Sequence, residues 1–582
     1  MNYHEPLALT SEQQERYFSH QLATMEREYK DVLKSSIATN HKKKNIFIGE
    51  IAGFDEARGN LLVRFKDNNL PRLDTPYLGS VFKGAPTNID IVEWTIPYES
   101  FLLKHQVYGS EATPVFYTTD KKEEGTIVAF KDVDAVLVNR LLEVLKAGKK
   151  IRFVVAKQPP PFELILALKK YVAGKSVKDP LLSISLSNVL DEWQPTSLDA
   201  DISTHKVIEV LDTSSRVVVQ GPPGTGKSHL ISEVVAHYQL QGKRICIAAQ
   251  TNKTLVELCH KPLLSSLLKQ KRIYKNNIKS NELSAFPLLQ SGNDHFLNGG
   301  DILLATFYSL KNVISELTQG THDFDFDLLI VEEASQANLA LISALSQLTI
   351  KVLLVGDPVQ MSPIVLDSER LFEINPRYKT YSSGLTAIAC NTTTQSFMLR
   401  ESFRLNSKSA SQTGLFYQDK LRSKVDDYKP LQSSANTERF IDSDGGAVVC
   451  GEFVLEQPDE LDKAITVGIE FLEELVMKNP HISTAILSPY VKVVNRVQAK
   501  IAGNQIARDV LVETVDRVQG ITVDFTILIL PLTNPLFTLE LERFNVATSR
   551  ARSGNLIFIS PHYRFLAAPN LVKQFLSSAM QA

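Results

Sequence analysis

The chain has 582 residues, 43% hydrophobic and 22% charged, with 63 Lys and Arg against 65 Asp and Glu and a formal net charge of −2. This is the balance of a globular protein of about three or four domains. It excludes a histone-like polycation, so any nucleic-acid contact must come from a local groove. The four cysteines (Cys246, Cys259, Cys390, Cys450) form no CxxC or Cys/His cluster, MNYHEPLALTSEQQER lacks the basic and apolar regions of a signal peptide, and no apolar run is long enough to span a bilayer; a reducing, cytoplasmic setting with no zinc and no membrane partner is expected.

Residues 11–38 read as one long helix, with Ser11 and Gln14 as a capping box and Phe18, Leu22, Met25, Tyr29, Val32 and Leu33 as a narrow apolar stripe that packs on one neighbour. Ile46–Ile51 and Leu61–Phe65 read as strands around a turn, followed by short strands near Val81, Ile89–Ile96, Val115–Thr118 and Thr126–Phe130. Many short strands punctuated by Gly and Pro predict a small β-barrel over about 45–130. A second helix at about 132–147 makes residues 1–150 a barrel on helical stalks, and 151–195 a connector with a helical stretch near 162–173.

From about 196 strands and helices alternate, which predicts parallel α/β layers. Strand candidates in the first block are Arg216–Gln220, Arg244–Ala249, Ile302–Thr306, Asp327–Val331 and Val352–Val355; those in the second are Ala447–Val449, Thr484–Ser488, Leu511–Val515, Thr526–Pro531 and Leu556–Ser560. Two tandem α/β domains follow, at 196–394 and 395–582. Residues 260–300 interrupt the first with Lys261, Lys269, Lys271, Arg272, Lys275 and Lys279. This is either a solvated helical face or a basic insertion against a phosphate backbone.

Gly221-Pro222-Pro223-Gly224-Thr225-Gly226-Lys227-Ser228 reads GxxxxGK[ST] between a predicted strand and a helix carrying Leu230, Ile231, Val234, Val235 and Tyr238. Such a loop aims backbone N–H groups and the positive helix end at a phosphate chain; Lys227 reaches the β- and γ-phosphates and Ser228 a Mg²⁺ ion. The strand Phe326–Val331 runs into Glu332 and Glu333. Glu332 is the candidate metal ligand and Glu333 the group that polarises attacking water. Val352–Val355 runs into Gly356-Asp357-Pro358-Val359-Gln360, which puts the Gln360 amide near the γ-phosphate.

Together these residues resemble a superfamily 1B helicase, of the type of the nonsense-mediated-decay RNA helicase and its DNA-acting relatives. GPPGTGKS is similar to motif I, AAQTNKTLVEL (248–258) to motif Ia, LLATFYSL (303–310) to the motif after it, VEEASQ (331–336) to motif II and VGDPVQMSP (355–363) to motif III. LRESFRLN (399–406) with LFYQDKL (415–421) resembles the glutamine-tyrosine-arginine motif and its sequel, AILSPY (485–490) motif IVa, VETVDRVQG (512–520) motif V and RFNVATSRAR (543–552) motif VI. The resemblance implies ATP and Mg²⁺ between two RecA-like domains, Arg404 and Arg550 reaching across as arginine fingers, Phe403 stacking on the base, and Gly520 in the nucleotide site. It also implies 5′→3′ movement on single-stranded DNA or RNA, with strand contacts expected at Thr251-Asn252-Lys253, Thr306-Phe307-Tyr308 and Pro489-Tyr490, and with the barrel as a clamp or a surface for a protein partner.

Departures accompany it. Glu332-Glu333 stands where the family has Asp-Glu, Ser203 or Thr204 lies near the place of an adenine-reading glutamine, Ser402 precedes Phe403 in place of Gln, and Ile521-Thr522 replaces Arg-Glu. These loosen the expected discrimination among nucleotides. An ATP-dependent helicase or translocase is the reading the motifs imply. An ATP-switched nucleic-acid-binding module that recruits a partner without unwinding is the alternative.

Overall fold

The computed structural model describes residues 8–582 apart from 67–68, 74, 83–93, 106, 120–124, 149, 175–179, 185, 187–192, 293–296, 318–325, 390–393, 426–427, 502–509, 519 and 567. Most of the strand expected at Ile89–Ile96, and also Cys390 and Gln519, lie outside the described residues.

The first helix is Ser11–Lys34, and its capping box lies one residue earlier than expected, between Thr10 and Gln13. Ser11 and Gln14 are drawn into tertiary bonds instead. The Ser11 hydroxyl donates to the Val172 carbonyl, and the Gln14 amide donates to the carbonyls of Leu9 (3.0 Å) and Leu182 (3.1 Å). The helix stops before 38 because Ser35 is extended and Ser36 caps a new short helix, Ile37–Lys42; serine side chains compete with helix continuation in this way. The partner of the first helix is Phe162–Ala173. Phe18, Leu168 and Tyr171 share one core, and the Tyr17 ring sits edge-on to Tyr381 at 5.2 Å.

Six antiparallel strands close into a barrel: β1 (Ile46–Asp55), β2 (Asn60–Phe65), β3 (Tyr77–Phe82), β4 (Val107–Thr119), β5 (Thr126–Lys131) and β6 (Arg152–Lys157), in the order β1-β2-β5-β4-β3-β6. The barrel therefore runs past 130, and its last strand comes from the segment expected to be a connector. β6 pairs with β1 (Ile46 opposite Ala156) and with β3 (Tyr77 opposite Lys157), satisfying two edges that would otherwise stay open. The helix Ala135–Lys146 is not a returning stalk. Its Leu137, Val138 and Leu141 enter the barrel core with Phe47, Phe65, Phe130 and Phe153.

The first α/β unit is a nine-stranded, all-parallel sheet. Its strands are β7 (Thr196–Leu198), β8 (Arg216–Gln220), β9 (Ile245–Ala249), β10 (Ile273–Lys275), β11 (Gln290–Ser291), β12 (Ile302–Thr306), β13 (Phe326–Glu332), β14 (Thr349–Gly356) and β15 (Gln395–Leu399). The order is β11-β10-β12-β9-β13-β14-β8-β15-β7. Val218 faces one apolar layer and Val217 and Val219 the other, as a sheet covered on both faces requires. β15 falls in the segment assigned to the second unit. It belongs to the first sheet because Phe397 pairs between Val219 and Thr196 and its side chain is buried with Leu198.

A two-stranded link of β16 (Glu401–Ser402) and β17 (Arg422–Ser423) leads to the second unit. That unit is a parallel sheet of β18 (Ala447–Cys450), β19 (Thr484–Ser488), β20 (Val510–Thr514), β21 (Phe525–Leu530), β22 (Asn555–Ile559) and β23 (Met580–Gln581), ordered β20-β19-β21-β22-β18-β23.

The insertion at 260–300 is only in part a solvated basic face, with Lys269 and Lys271 exposed. β10 and β11 extend the first sheet, and three of the six cations are paired. Lys275 is fully buried with its ammonium 2.9 Å from Glu282, Arg272 lies 3.0 Å from Asp301, and Lys279 lies 3.6 Å from Glu111 of the barrel. Losing one partner of a buried pair leaves a desolvated charge, at a cost of about 3–5 kcal/mol. Glu282→Ala is accordingly expected to lower the free energy of unfolding by about that amount, while Lys275→Met combined with Glu282→Leu recovers most of it. Denaturant titration reads both, and a loss within experimental error for the single variant would show the pair to be dispensable.

Candidate nucleotide site

The loop 221–228 leaves β8 and enters the helix Lys227–Leu240, as an alternation from buried strand to amphipathic helix dictates. Gly224 and Gly226 adopt φ of +75° and +85°, a region open to glycine and strained for other residues. Gly224 also has no room for a side chain, since a Cβ there would lie 2.4 Å from the Cβ of Arg404. The Lys227 ammonium donates to the Gly221 carbonyl at 2.5 Å, and burial lowers its pKa. Thr225 is buried and donates to the Pro222 carbonyl at 2.8 Å.

Two acids stand at the end of β13. Glu332 is 4% exposed; one of its carboxylate oxygens accepts the Ser228 hydroxyl at 3.1 Å and the other is buried with no hydrogen-bond partner. Burial, reinforced by the charge of Glu333, raises its pKa to about 8. Glu333 adopts a left-handed φ of +54°, accepts the Thr254 hydroxyl at 3.2 Å, and is also raised by burial, against the pull of Lys227. Among the described residues no group of three or more His, Cys, Asp or Glu could hold a metal ion. A hydroxyl beside a carboxylate with an unpartnered oxygen nevertheless fits Mg²⁺, which takes few protein ligands and completes its shell with water and phosphate oxygens.

The raised Glu332 gives a stability signature. The folded chain keeps a proton that the unfolded chain gives up above its ordinary value, so this stabilisation is present below that value and is lost as the pH rises through about 8. Glu332→Gln removes the titration. Its melting temperature without divalent cations is expected to exceed that of the wild type at pH 9, with the gap closing at pH 6. An equal gap at both pH values would mean that Glu332 is ionised throughout.

The second unit contributes two cations. Arg550 is 2% exposed, donates from Nε to the Val546 carbonyl at 2.9 Å and reaches the Ile521 carbonyl at 3.4 Å. Its pKa is lowered by burial to about 10, opposed by Tyr417, Glu333 and Asp357. Arg404 donates to the Ser549 carbonyl at 3.3 Å and is lowered to about 9 by burial and then by Arg550. Arg404 thus links the phosphate loop, where it crowds Gly224, to the Ser549 carbonyl beside Arg550, so groups from both units meet next to Lys227. Arg552 instead pairs with Asp524 at 3.1 Å. Phe403 is 53% exposed and borders Gly226, so it is not a core residue. Gly520 has φ of +84° with open space at its Cα.

Gln360 departs from the expectation. It is buried, and its amide donates to Asp357 at 2.8 Å rather than being free to face a phosphate. Asp357 also accepts from Gln220 (3.2 Å) and from the Tyr417 hydroxyl (2.6 Å), which in turn accepts from Asn545 (2.7 Å). This buried network joins β14 to the second unit. Asp357, Tyr417 and Asn545 all lay inside segments recognised in the sequence, but no spacing marked them as partners. Ser203 and Thr204 are committed elsewhere, to the Ala200 carbonyl and to Glu233. Of the expected strand contacts, Phe307 is core, whereas Tyr308 is partly exposed.

The fold and site are those of a P-loop protein with two α/β units in tandem. Two family models described as AAA domain match, one over residues 205–368 and one over 381–562. The chain belongs to the superfamily 1 helicases, with tandem RecA-like domains. It is similar to replicase polyprotein 1ab of Alphamesonivirus 1, at 24% identity over 391 residues covering 63% of this chain and 7% of that protein. It is also similar to the DNA replication ATP-dependent helicase/nuclease DNA2 of Saccharomyces cerevisiae, at 23% identity over 199 residues covering 33% of this chain and 12% of the other. The chain thus spans only a small fraction of the length of these curated relatives. Among solved structures, an arterivirus nonstructural protein 10 (helicase) in complex with DNA is 14% identical, with a TM-score of 0.34 and coverage of 63% of this chain and 65% of that one. No helix among the described residues is long and apolar enough to cross a membrane.

Proposed function

We propose that the chain is a nucleic-acid-stimulated ATPase that couples hydrolysis between its two RecA-like domains to 5′→3′ movement along single-stranded DNA or RNA. The observation that carries this reading is that Arg404 stands against the phosphate loop, its Cβ 2.4 Å from where a Cβ on Gly224 would lie, and bonds the Ser549 carbonyl next to the buried Arg550 of the second domain. The backbone of 221–228 would cradle the phosphates, Lys227 would neutralise their charge, Phe403 would stack on the base, and Gly520 would allow a close approach. Ser228 and Glu332 would hold Mg²⁺, which when bound neutralises phosphate charge. Glu333 would orient the attacking water, and the two arginines would stabilise charge on the transferring group; phosphoryl transfer needs chiefly such positioning. The buried link from Gln360 through Asp357 to Tyr417 would pass a change at the phosphate to the second domain.

The relatives support a nucleic-acid substrate, since they include a DNA replication helicase/nuclease. Steady-state ATPase assays with no strand, with single-stranded DNA and with single-stranded RNA test it. Stimulation of about tenfold or more by one strand is expected, the size of a coupling worth about 1.4 kcal/mol. Equal rates in all three would overturn the reading. Stimulation without strand separation would favour the ATP-switched binding module.

A further inference from the structure

The barrel is fastened to the first α/β domain and touches the second. On the first side, the Ser280 hydroxyl donates to the Gly59 carbonyl at 2.7 Å, the Asp132 amide donates to Asn281 at 2.9 Å, and Lys279 pairs with Glu111. The approach is close: Gly59 has φ of +67°, and a Cβ on it would lie 2.6 Å from the Asn281 Cα. This joint combines backbone contact with buried bonds, so the barrel moves with the first domain.

On the second side the contact is of another kind. Arg72, between β2 and β3, places Nη2 3.6 Å from Glu513 at the end of β20. Arg517 lies 3.7 Å from the other Glu513 oxygen and donates to Thr75 of the same barrel loop at 3.2 Å. The loop is tied to the barrel, because the Arg72 amide donates to the Tyr77 hydroxyl at 3.1 Å and the Tyr117 hydroxyl donates to the Pro71 carbonyl at 2.5 Å. Nε and Nη2 of Arg72 are nevertheless buried without a hydrogen-bond partner. Charge therefore holds the contact while guanidinium donors remain unsatisfied, an arrangement that a better oxyanion can displace.

Glu513 sits where such an oxyanion would arrive. In the register of β19 with β20, Leu487 lies opposite Glu513 and Ser488 opposite Thr514, immediately before Pro489-Tyr490. The carboxyl ends of parallel strands are where open α/β sheets bind ligands.

We propose that Arg72, Glu513 and Arg517 form a latch that closes the barrel against the second domain and limits the entry of a nucleic-acid strand, whose phosphates compete with the Glu513 carboxylate for the guanidinium. The proposal rests on the strand-motor reading. A contact from a body fixed to one domain onto the other must also slip when the domains rotate, so the latch ties strand entry to the nucleotide cycle.

The test is the association rate of short fluorescent oligo-dT and oligo-U strands, measured by stopped flow on the full chain. Arg72→Ala is expected to load strand about three- to tenfold faster than wild type, at the low end of the roughly one to three decades over which association rates vary among variants of one interface. Arg72→Glu, which repels Glu513, should load at least as fast, and Arg72→Glu combined with Glu513→Arg should return towards the wild-type rate. Unchanged loading in Arg72→Ala overturns the latch and leaves the motor reading intact. Slower loading in Arg72→Ala also overturns it, because Arg72 would then recruit the strand rather than bar its entry. A wild type that binds neither strand overturns both readings together.

Discussion

Glu333→Gln is expected to bind ATP as the wild type does and to turn it over about 10²–10⁴-fold more slowly, the range for losing a positioned general base. The backbone indicates the role. A glutamate in the left-handed region costs on the order of 1 kcal/mol or more, and such positions persist where the surroundings over-determine them. Here the Thr254 hydroxyl at 3.2 Å fixes the carboxylate, while burial raises its pKa and so its basicity. Glutamine keeps the size and can accept the same bond, but it carries neither charge nor basicity. Nucleotide-binding titrations paired with single-turnover hydrolysis separate the two effects. Turnover close to the wild-type rate would remove Glu333 from the proposed chemistry.

Arg550→Ala should cost more, about 10³–10⁵-fold in turnover, the range for loss of an arginine finger. This side chain is not a surface ion pair. It is almost wholly buried, burial depresses its pKa to about 10, and the acids that oppose the depression, Glu333 and Asp357, belong to the first domain. Truncation also strips a donor from the Val546 carbonyl, so a stability loss of about 1–3 kcal/mol should accompany the kinetic one. Arg550→Lys distinguishes the roles, because it keeps the charge and loses the planar fork. Both variants should be assayed where circular dichroism shows them folded. An Arg550→Ala enzyme with lower stability and unchanged turnover would make the residue a strut.

Most of the α/β architecture was legible because its strands are short apolar runs set between loop signals. The strands expected in the two sheets appear within a residue or two of their expected places, except that β14 starts three residues before Val352, while β7, β10, β11, β15 and β23 were not expected. The errors share one cause. Ser11 and Gln14 satisfy the local pattern of a capping box but are recruited by Val172, Leu9 and Leu182, and the equally local Thr10 caps in their stead. Arg152–Lys157 looked like a connector until two distant edges, β1 and β3, needed a partner. Lys275 and Lys279 resembled a phosphate-binding face, yet their charges are taken up by Glu282 and Glu111.

What the sequence by itself determined is the presence of the phosphate loop, the two acids after an apolar strand and the two later arginines, since each depends on residue type at short, fixed spacing. What only the tertiary structure decided is which of these groups meet. Arg404 meets the phosphate loop because β15 lies beside β8 in the first sheet, and Arg550 is its neighbour because Arg404 bonds the adjacent Ser549 carbonyl of the second domain. Gln360 turns to Asp357 and Tyr417 rather than outward because a buried carboxylate must be hydrogen-bonded and the second domain supplies the hydroxyl. Local chemistry is written in adjacent residues. Desolvation and long-range pairing exist only once the chain has folded.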